Sequence, residues 1–328
     1  MNSQLYPLKF QPQFYEKIWG GRKIKTLLGK EFSPLENCGE SWEISGIEGC
    51  TSVVKNGFLA NNELTELVEI YMGDLVGDSV FDRFGLGFPL LIKFIDAAET
   101  LSVQVHPNDT LAQQLFGENG KSEMWYVLDA EAGVGLYTGF QKGVTPTDYD
   151  KALAAGTVAQ LLHFEQVQKG DLFFIPAGTV HAIGKGVLLA EIQQASDLTF
   201  RVFDWNRTDD KGKPRTLHLK EARQALDFSP HQSYKIDYQP ELNSSCKVLR
   251  EPCFNVNLLT FDKPVQKTYT AIDTFVIYLC TEGHFHLFGD NIEDTLKAGE
   301  TLLVPAEIAE LNLVPSHHTA TVLEVYLG

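Results

Sequence analysis

The chain has 328 residues and a formal charge of −16, with 44% apolar and 21% charged residues. That balance supports a packed protein of one large or two ordinary domains and excludes a disordered chain. The acidic surplus opposes nucleic acid or an anionic membrane as partner, and no stretch approaches the roughly 20 apolar residues that span a bilayer. An anionic small molecule fits only where local cations or a metal reverse the field. The opening MNSQLYPLKFQPQF holds no apolar run of signal-peptide length, which predicts a cytoplasmic setting. Cys38, Cys50, Cys246, Cys253 and Cys280 then read as free thiols; none forms a C-x-x-C pair, which argues against a thiolate metal site.

In chain order, helical spacing of Leu64, Leu67, Val68 and Tyr71 predicts a helical segment over about 61–80. A short apolar strand follows at 88–95. Residues 101–106 alternate, with Leu101, Val103 and Val105 on one face and Ser102, Gln104 and His106 on the other. Pro107-Asn108-Asp109 opens a helix over about 108–117, capped by Asn108 or Asp109. Strands at 124–128 and 134–137 precede a helix over about 147–162, with Thr147 and Asp150 as its capping-box-like start. Strands at 171–175, 187–193 and 198–203 and a helix at 217–226 complete the first part.

Residues 170–176 (GDLFFIP) and 299–305 (GETLLVP) share one cadence, and each follows a strand pair of similar composition. We read this as two barrel units of common design, residues 1–235 and 236–328, the boundary falling in the Ser-, Pro-, His- and Gln-rich stretch 228–240.

Gln104 and His106 lie two apart on a strand and face the same side, which implies a barrel with a polar interior. Residues 170–181 read GDLFFIPAGTVH: a strand, a Pro-Ala-Gly turn, then His181 at the start of the returning strand. The spacing G-x5-P-x-G-x-x-H matches the second signature of the cupin superfamily, so the expected fold is mostly β, two jelly-roll cupin units with a small helical insertion. In the first signature Gln104 stands for the usual first histidine, and Glu123 arrives late, after a helical insertion. The second unit has Pro305-Ala306-Glu307-Ile308-Ala309 where the first has its glycine turn and His181. It is therefore expected to hold no metal despite His284 and His286.

The blocks WGGRKI (19–24), GESWEIS (39–45), FPLLIKFIDAAETLSVQVHPND (88–109), GKSEMWYVL (120–128), IPAGTVHAIGKG (175–186) and EIQQASDLTFRVFDWNR (191–207) resemble, in order, the short bacterial type I mannose-6-phosphate isomerases. The resemblance implies a metal-dependent enzyme interconverting mannose 6-phosphate and fructose 6-phosphate through a cis-enediol. It implies one Zn²⁺ on Gln104, His106, Glu123 and His181. Imidazole, carboxylate and amide ligands suit zinc and leave coordination open for substrate. The resemblance places Glu191 and Arg201 at the active site, Arg201 nearer the reacting carbons, and Ser102 and Arg207 near the phosphate; Lys121, two residues before Glu123, is expected on that ligand's face as an acid/base or as a fixed cation beside the sugar oxygens. Lys121, Glu191 and a metal-bound water remain alternative proton carriers. A hairpin turn at 195–197 would set Glu191 opposite Arg201 as an ion pair. Trp42 and Glu43 read as packing residues, and Arg22 as a surface arginine. Other readings of the same pocket are a non-catalytic sugar-phosphate-binding cupin, an isomerase of a related sugar phosphate, or an oxidative iron cupin, the last opposed by Gln104.

Overall fold

The computed structural model describes residues 5–208, 212–231, 233–290 and 292–328. Strand periodicity builds four antiparallel sheets. The first runs in the order β1 (Gln13–Tyr15), β2 (Glu40–Ser45), β3 (Leu90–Ala97), β10 (Val187–Gln194), β5 (Glu123–Ala130), β8 (Leu172–Ile175), β12 (Lys235–Ile236). The second runs β11 (Phe200–Phe203), β4 (Val103–Val105), β9 (His181–Ile183), β6 (Gly135–Phe140), β7 (Leu162–Gln166). The third is β13 (Ser244–Arg250), β14 (Asn255–Phe261), β21 (Ala320–Tyr326), β16 (Val276–Glu282), β19 (Thr301–Val304). The fourth is β15 (Val265–Thr268), β20 (Glu310–Pro315), β17 (His284–Gly289), β18 (Ile292–Lys297).

The order β2-β3-β10-β5-β8 recurs as β13-β14-β21-β16-β19, and β4-β9-β6-β7 recurs as β15-β20-β17-β18. The two echoing segments fall on β8 and β19, which occupy the same place in this scheme. Each repeat also carries a deeply buried glutamate on its corresponding strand, Glu191 on β10 and Glu324 on β21. Around Glu324 the second repeat packs Lys267, whose Nζ lies 2.8 Å away, and the hydroxyls of Ser245 and Tyr269.

Two apolar cores lie between the paired sheets. Ile95, Trp125, Val127, Ile183 and Leu189 fill the first pair, and Phe261, Tyr278, Phe285, Leu313 and Val322 the second. The opposite faces of the first and third sheets share a larger core, where Ile92, Phe94, Met124 and Ile192 pack with Val256, Leu258, Ile277, Leu323 and Val325. The chain crosses this seam at its start: Leu8 exchanges backbone hydrogen bonds with Leu303 of β19.

Seven α-helices are present among the described residues: α1 (Lys23–Thr26), α2 (Leu64–Tyr71), α3 (Gly73–Val76), α4 (Asp78–Phe84), α5 (Asp109–Phe116), α6 (Pro146–Ala155) and α7 (Leu219–Ala225). The single helical stretch expected over 61–80 is three helices, because Met72 and Gly77 take positive φ and break the ladder. Asn108 caps α5 by accepting from the Leu111 amide. The capping box of α6 is Thr145 with Asp148, not Thr147 with Asp150: Pro146 presets the first helical position. The helix ends at Gly156 in the left-handed region, and a short 3₁₀ turn, Val158–Leu161, completes the segment.

Candidate metal centre and substrate cavity

Strand β4 directs Ser102, Gln104 and His106 into the first barrel, and Gln104 sits in register with His181 at the start of β9. Gly178, at φ 92°, makes the turn that delivers His181, and its amide donates to the His106 carbonyl over 2.8 Å. Glu123 is the first residue of β5. The cluster is tight: His106 Nε2 lies 3.2 Å from Glu123 Oε1, and His181 Nε2 lies 3.6 Å from Glu123 Oε2. Gln104 Nε2 stands 3.3 Å from His181 Nε2.

Three features make this a metal-ligating arrangement. His106, Glu123 and His181 are each only 1% exposed, and their ligand atoms lie within 4.8 Å of one another. Each imidazole has its Nδ1 on a backbone carbonyl, His106 on Leu198 at 2.8 Å and His181 on Thr179 at 2.9 Å. Donation from Nδ1–H leaves the Nε2 lone pair facing the cluster. Finally, among the described residues His106 Nε2 and both Glu123 oxygens are buried without a hydrogen-bond partner, with Lys121 within ion-pair distance of Oε1. Buried acceptors without hydrogen bonds are costly, and a divalent cation would satisfy all three at once.

Electrostatics point the same way. Burial, aided by the Lys121 ammonium, lowers the His106 imidazole to about 4, and burial lowers His181 as well. Burial alone would raise the Glu123 carboxyl, but Lys121, with Nζ 3.1 Å from Oε1, holds it well below its ordinary range. Neutral imidazoles beside an ionised carboxylate are the ligand state a metal needs. Between pH 6.5 and about 4 the unfolded chain binds more protons at His106 than the folded one, so stability is full above that window and falls as pH drops through it. Metal-free protein should therefore lose on the order of 2 kcal/mol between pH 7 and pH 5 from this residue. Urea unfolding at both pH values checks this, with a smaller loss expected in His106→Gln. Equal losses in the two proteins would contradict the assignment.

Gln104 and Lys121 also face a cavity of about 290 Å³, whose lining includes Ser102, Lys93, Glu191, Arg201 and Arg215. One wall carries Lys93 and Glu191, which lie in successive register between Trp42 and Trp125 across the first sheet. Lys93 Nζ lies 3.3 Å from Glu191 Oε1 and 3.7 Å from Glu40 Oε2, and Lys17 lies 3.0 Å from Glu40. Tryptophan indoles anchor both carboxylates: Trp42 Nε1–H donates to Glu40 over 2.8 Å and Trp125 Nε1–H to Glu191 over 3.0 Å. Burial raises Glu40, but Lys93 and Lys17 outweigh it and hold the carboxyl at about 2. Glu191 behaves oppositely: burial and the nearby Glu123 charge raise it despite Lys93.

The family model for the phosphomannose isomerase type I catalytic domain matches residues 7–136. Mannose-6-phosphate isomerase of Streptococcus mutans is 34% identical over 318 residues, covering 95% of this chain and 98% of that protein. The chain belongs to the type I phosphomannose isomerase family. Mannose-6-phosphate isomerase ManA of Bacillus subtilis is 32% identical over 94% of this chain and 95% of its own length. The crystal structure of mannose 6-phosphate isomerase from Bacillus subtilis superposes with a TM-score of 0.87 at 31% identity, covering 98% of this chain and 99% of that one.

In this family member Gln104, His106, Glu123, His181, Lys121, Glu191, Ser102 and Arg201 gather around one barrel interior and its cavity. The expected Glu191–Arg201 ion pair is overturned. Glu191 pairs with Lys93 and Trp125 within the first sheet, whereas Arg201 lies opposite Gln104 in the second. Residues 195–199 form no hairpin: they carry the chain from one sheet to the other, with the Ala195 amide on the Pro89 carbonyl. Arg207 donates to the Thr100 carbonyl over 2.7 Å and to Asp204, and it is not among the cavity-lining residues. Arg22 is exposed and donates to the Glu36 carbonyl.

Sequence reasoning misses Lys93, Glu40, Lys17 and Arg215. Lys93 has a usable signal, being a basic residue near the centre of the buried strand β3. A charge in such a strand requires a buried partner. Glu40, Lys17 and Arg215 have no comparable local signature.

Proposed function

We propose that this chain is a metal-dependent aldose–ketose isomerase that interconverts mannose 6-phosphate and fructose 6-phosphate. The observation that carries the reading is the buried His106–Glu123–His181 cluster, whose ligand atoms His106 Nε2 and both Glu123 oxygens have no hydrogen bond among the described residues, beside a cavity lined by Lys93, Lys121, Arg201 and Arg215 in a chain of charge −16. Family membership supplies the substrate class.

Gln104, His106, Glu123 and His181 would hold the metal, which we take to be zinc; a half-turn of the Gln104 amide presents its oxygen. When bound, zinc supplies Lewis-acid polarisation of the open-chain sugar oxygens. The chain's own groups do the rest. Glu191, made more basic by burial and anchored by Trp125, takes the proton from C2 as the C1–C2 double bond of the cis-enediol forms. Lys121 gives O1 a proton as the enediol forms and takes one from the O2 hydroxyl as the C2 carbonyl forms, while Glu191 returns its proton to C1. Lys121 donates to the sugar oxygens, and Arg201, beside Gln104, stabilises the developing negative charge. Ser102, on the cavity wall, would belong to the phosphate end, with Arg207 behind that wall on Thr100 and Asp204.

Residues 1–235 would form the catalytic unit and 236–328 a metal-free companion. The second unit has Pro305-Ala306-Glu307-Ile308-Ala309 in place of the glycine turn and His181 of the first, which supports the second assignment. Five free cysteines fit a cytoplasmic setting.

The test is formation of fructose 6-phosphate from mannose 6-phosphate by purified protein, assayed as isolated, after chelation and after zinc is restored. Turnover should vanish and return. Absence of turnover in protein carrying one metal per chain would reject the isomerase reading.

A further inference from the structure

The second wall of the cavity has a surplus of guanidinium donors. Arg201 and Arg215 line it, and Arg207 lies close enough to share a carboxylate with Arg215. That carboxylate is Asp204, 5% exposed, which accepts from Arg215 Nε at 2.7 Å and from both Arg215 Nη2 and Arg207 Nη2. Arg201 gives Nη1 to the Thr216 carbonyl, next to Arg215, while its Nε and that of Arg207 are buried with no acceptor among the described residues. Arg207 and Arg215 thus share one carboxylate with Arg201 beside them, and among the described residues this group has more N–H donors than acceptors. The planar fork of arginine suits a tetrahedral dianion with several acceptor oxygens.

We infer that Arg215, pre-set by its bidentate pair with Asp204, contacts the substrate phosphate from the cavity wall. Arg207 braces Asp204 from the far side, joined to Thr100. Asp204 fixes the angle of the Arg215 fork in advance, so little side-chain freedom is lost when the anion arrives. This deepens the sugar-phosphate reading and rests on it.

The test uses zinc-loaded full-length protein, with inorganic phosphate as a competitive inhibitor and mannose 6-phosphate as substrate. In Arg215→Ala the inhibition constant for phosphate and the KM should both rise about 10- to 100-fold, the worth of one hydrogen bond to a charged group. The kcat should move less than about threefold, because binding of a remote group is lost equally from ground and transition states. Arg215→Lys keeps the charge and loses the fork, so it should fall between, and it serves as the variant should the alanine protein not fold. An unchanged phosphate inhibition constant in folded, zinc-loaded Arg215→Ala would overturn the inference. So would a fall in kcat with KM constant, which would mark Arg215 as a brace for Arg201. If the wild type fails to isomerise mannose 6-phosphate yet binds inorganic phosphate through Arg215, measured by calorimetry, the isomerase reading falls and the anion site stands.

Discussion

His181→Ala should lose bound metal and turnover together, and His106→Ala should do the same. Both rings are fully enclosed, and both have Nδ1 committed to a backbone carbonyl, so no rearrangement within the cluster replaces the missing Nε2. Removing the metal forfeits several kcal/mol of charge stabilisation in the transition state, so activity should fall by roughly 10³-fold or more. Arg201→Ala is the necessary contrast. Arg201 lies opposite Gln104 and its side chain is not in the His–Glu–His cluster, so this variant should retain metal while losing about 10²–10³ in kcat. Metal analysis of all three proteins beside their turnover numbers decides the matter. If metal content drops equally in Arg201→Ala, the separation of ligating from catalytic roles is wrong.

Deleting residues 236–328 should leave a first unit that neither folds nor binds metal, although none of the proposed ligands is removed. The reason is the core shared by the first and third sheets. Val256, Leu258, Ile277, Leu323 and Val325 cover Ile92, Phe94, Met124, Leu172 and Ile192, all essentially inaccessible to solvent. Exposing five such side chains costs about 1.5–3 kcal/mol each, or roughly 10 kcal/mol together, which matches the whole stability of an ordinary domain. The backbone adds to this: Leu8 pairs with Leu303, and the Phe275, Ala306 and Glu307 amides donate to Val76, Leu75 and Asp74. Near-UV circular dichroism and gel filtration of the fragment provide the check. A monomeric fragment with native-like aromatic signal would refute the argument.

The parts of this architecture that local chemistry dictates are legible in the sequence. The alternation at 101–106 puts Gln104 and His106 on one face, and the Pro-Ala-Gly turn puts His181 beside them, as register confirms. Helix α5 starts at the cap that its sequence offers. What local chemistry leaves open reads less well. The turn at 195–197 looks like a hairpin, but the Ala195 amide is claimed by Pro89 and the next strand joins another sheet. Thr147 looks like a helix start, yet Pro146, fixed at helical φ, moves the cap to Thr145. The alternating row of Lys17, Glu40, Lys93 and Glu191 comes from three strands and the loop after β1. No spacing rule links such distant positions; only sheet register brings them together.

The tryptophans give this arrangement an optical consequence. The chain has four, Trp19, Trp42, Trp125 and Trp205, and none lies beyond residue 205. Trp19 lines the cavity; Trp42 lies under the Lys93 ammonium, 4.9 Å from ring centre to Nζ; Trp125 bonds Glu191 and meets the His181 ring edge at 5.3 Å; Trp205 donates to the Leu101 carbonyl on the cavity wall. Indole emission from this protein therefore arises entirely around the site. Metal occupancy and ligand entry can be followed by intrinsic fluorescence without a label, while the second barrel, carrying only tyrosine and phenylalanine, stays dark at indole wavelengths.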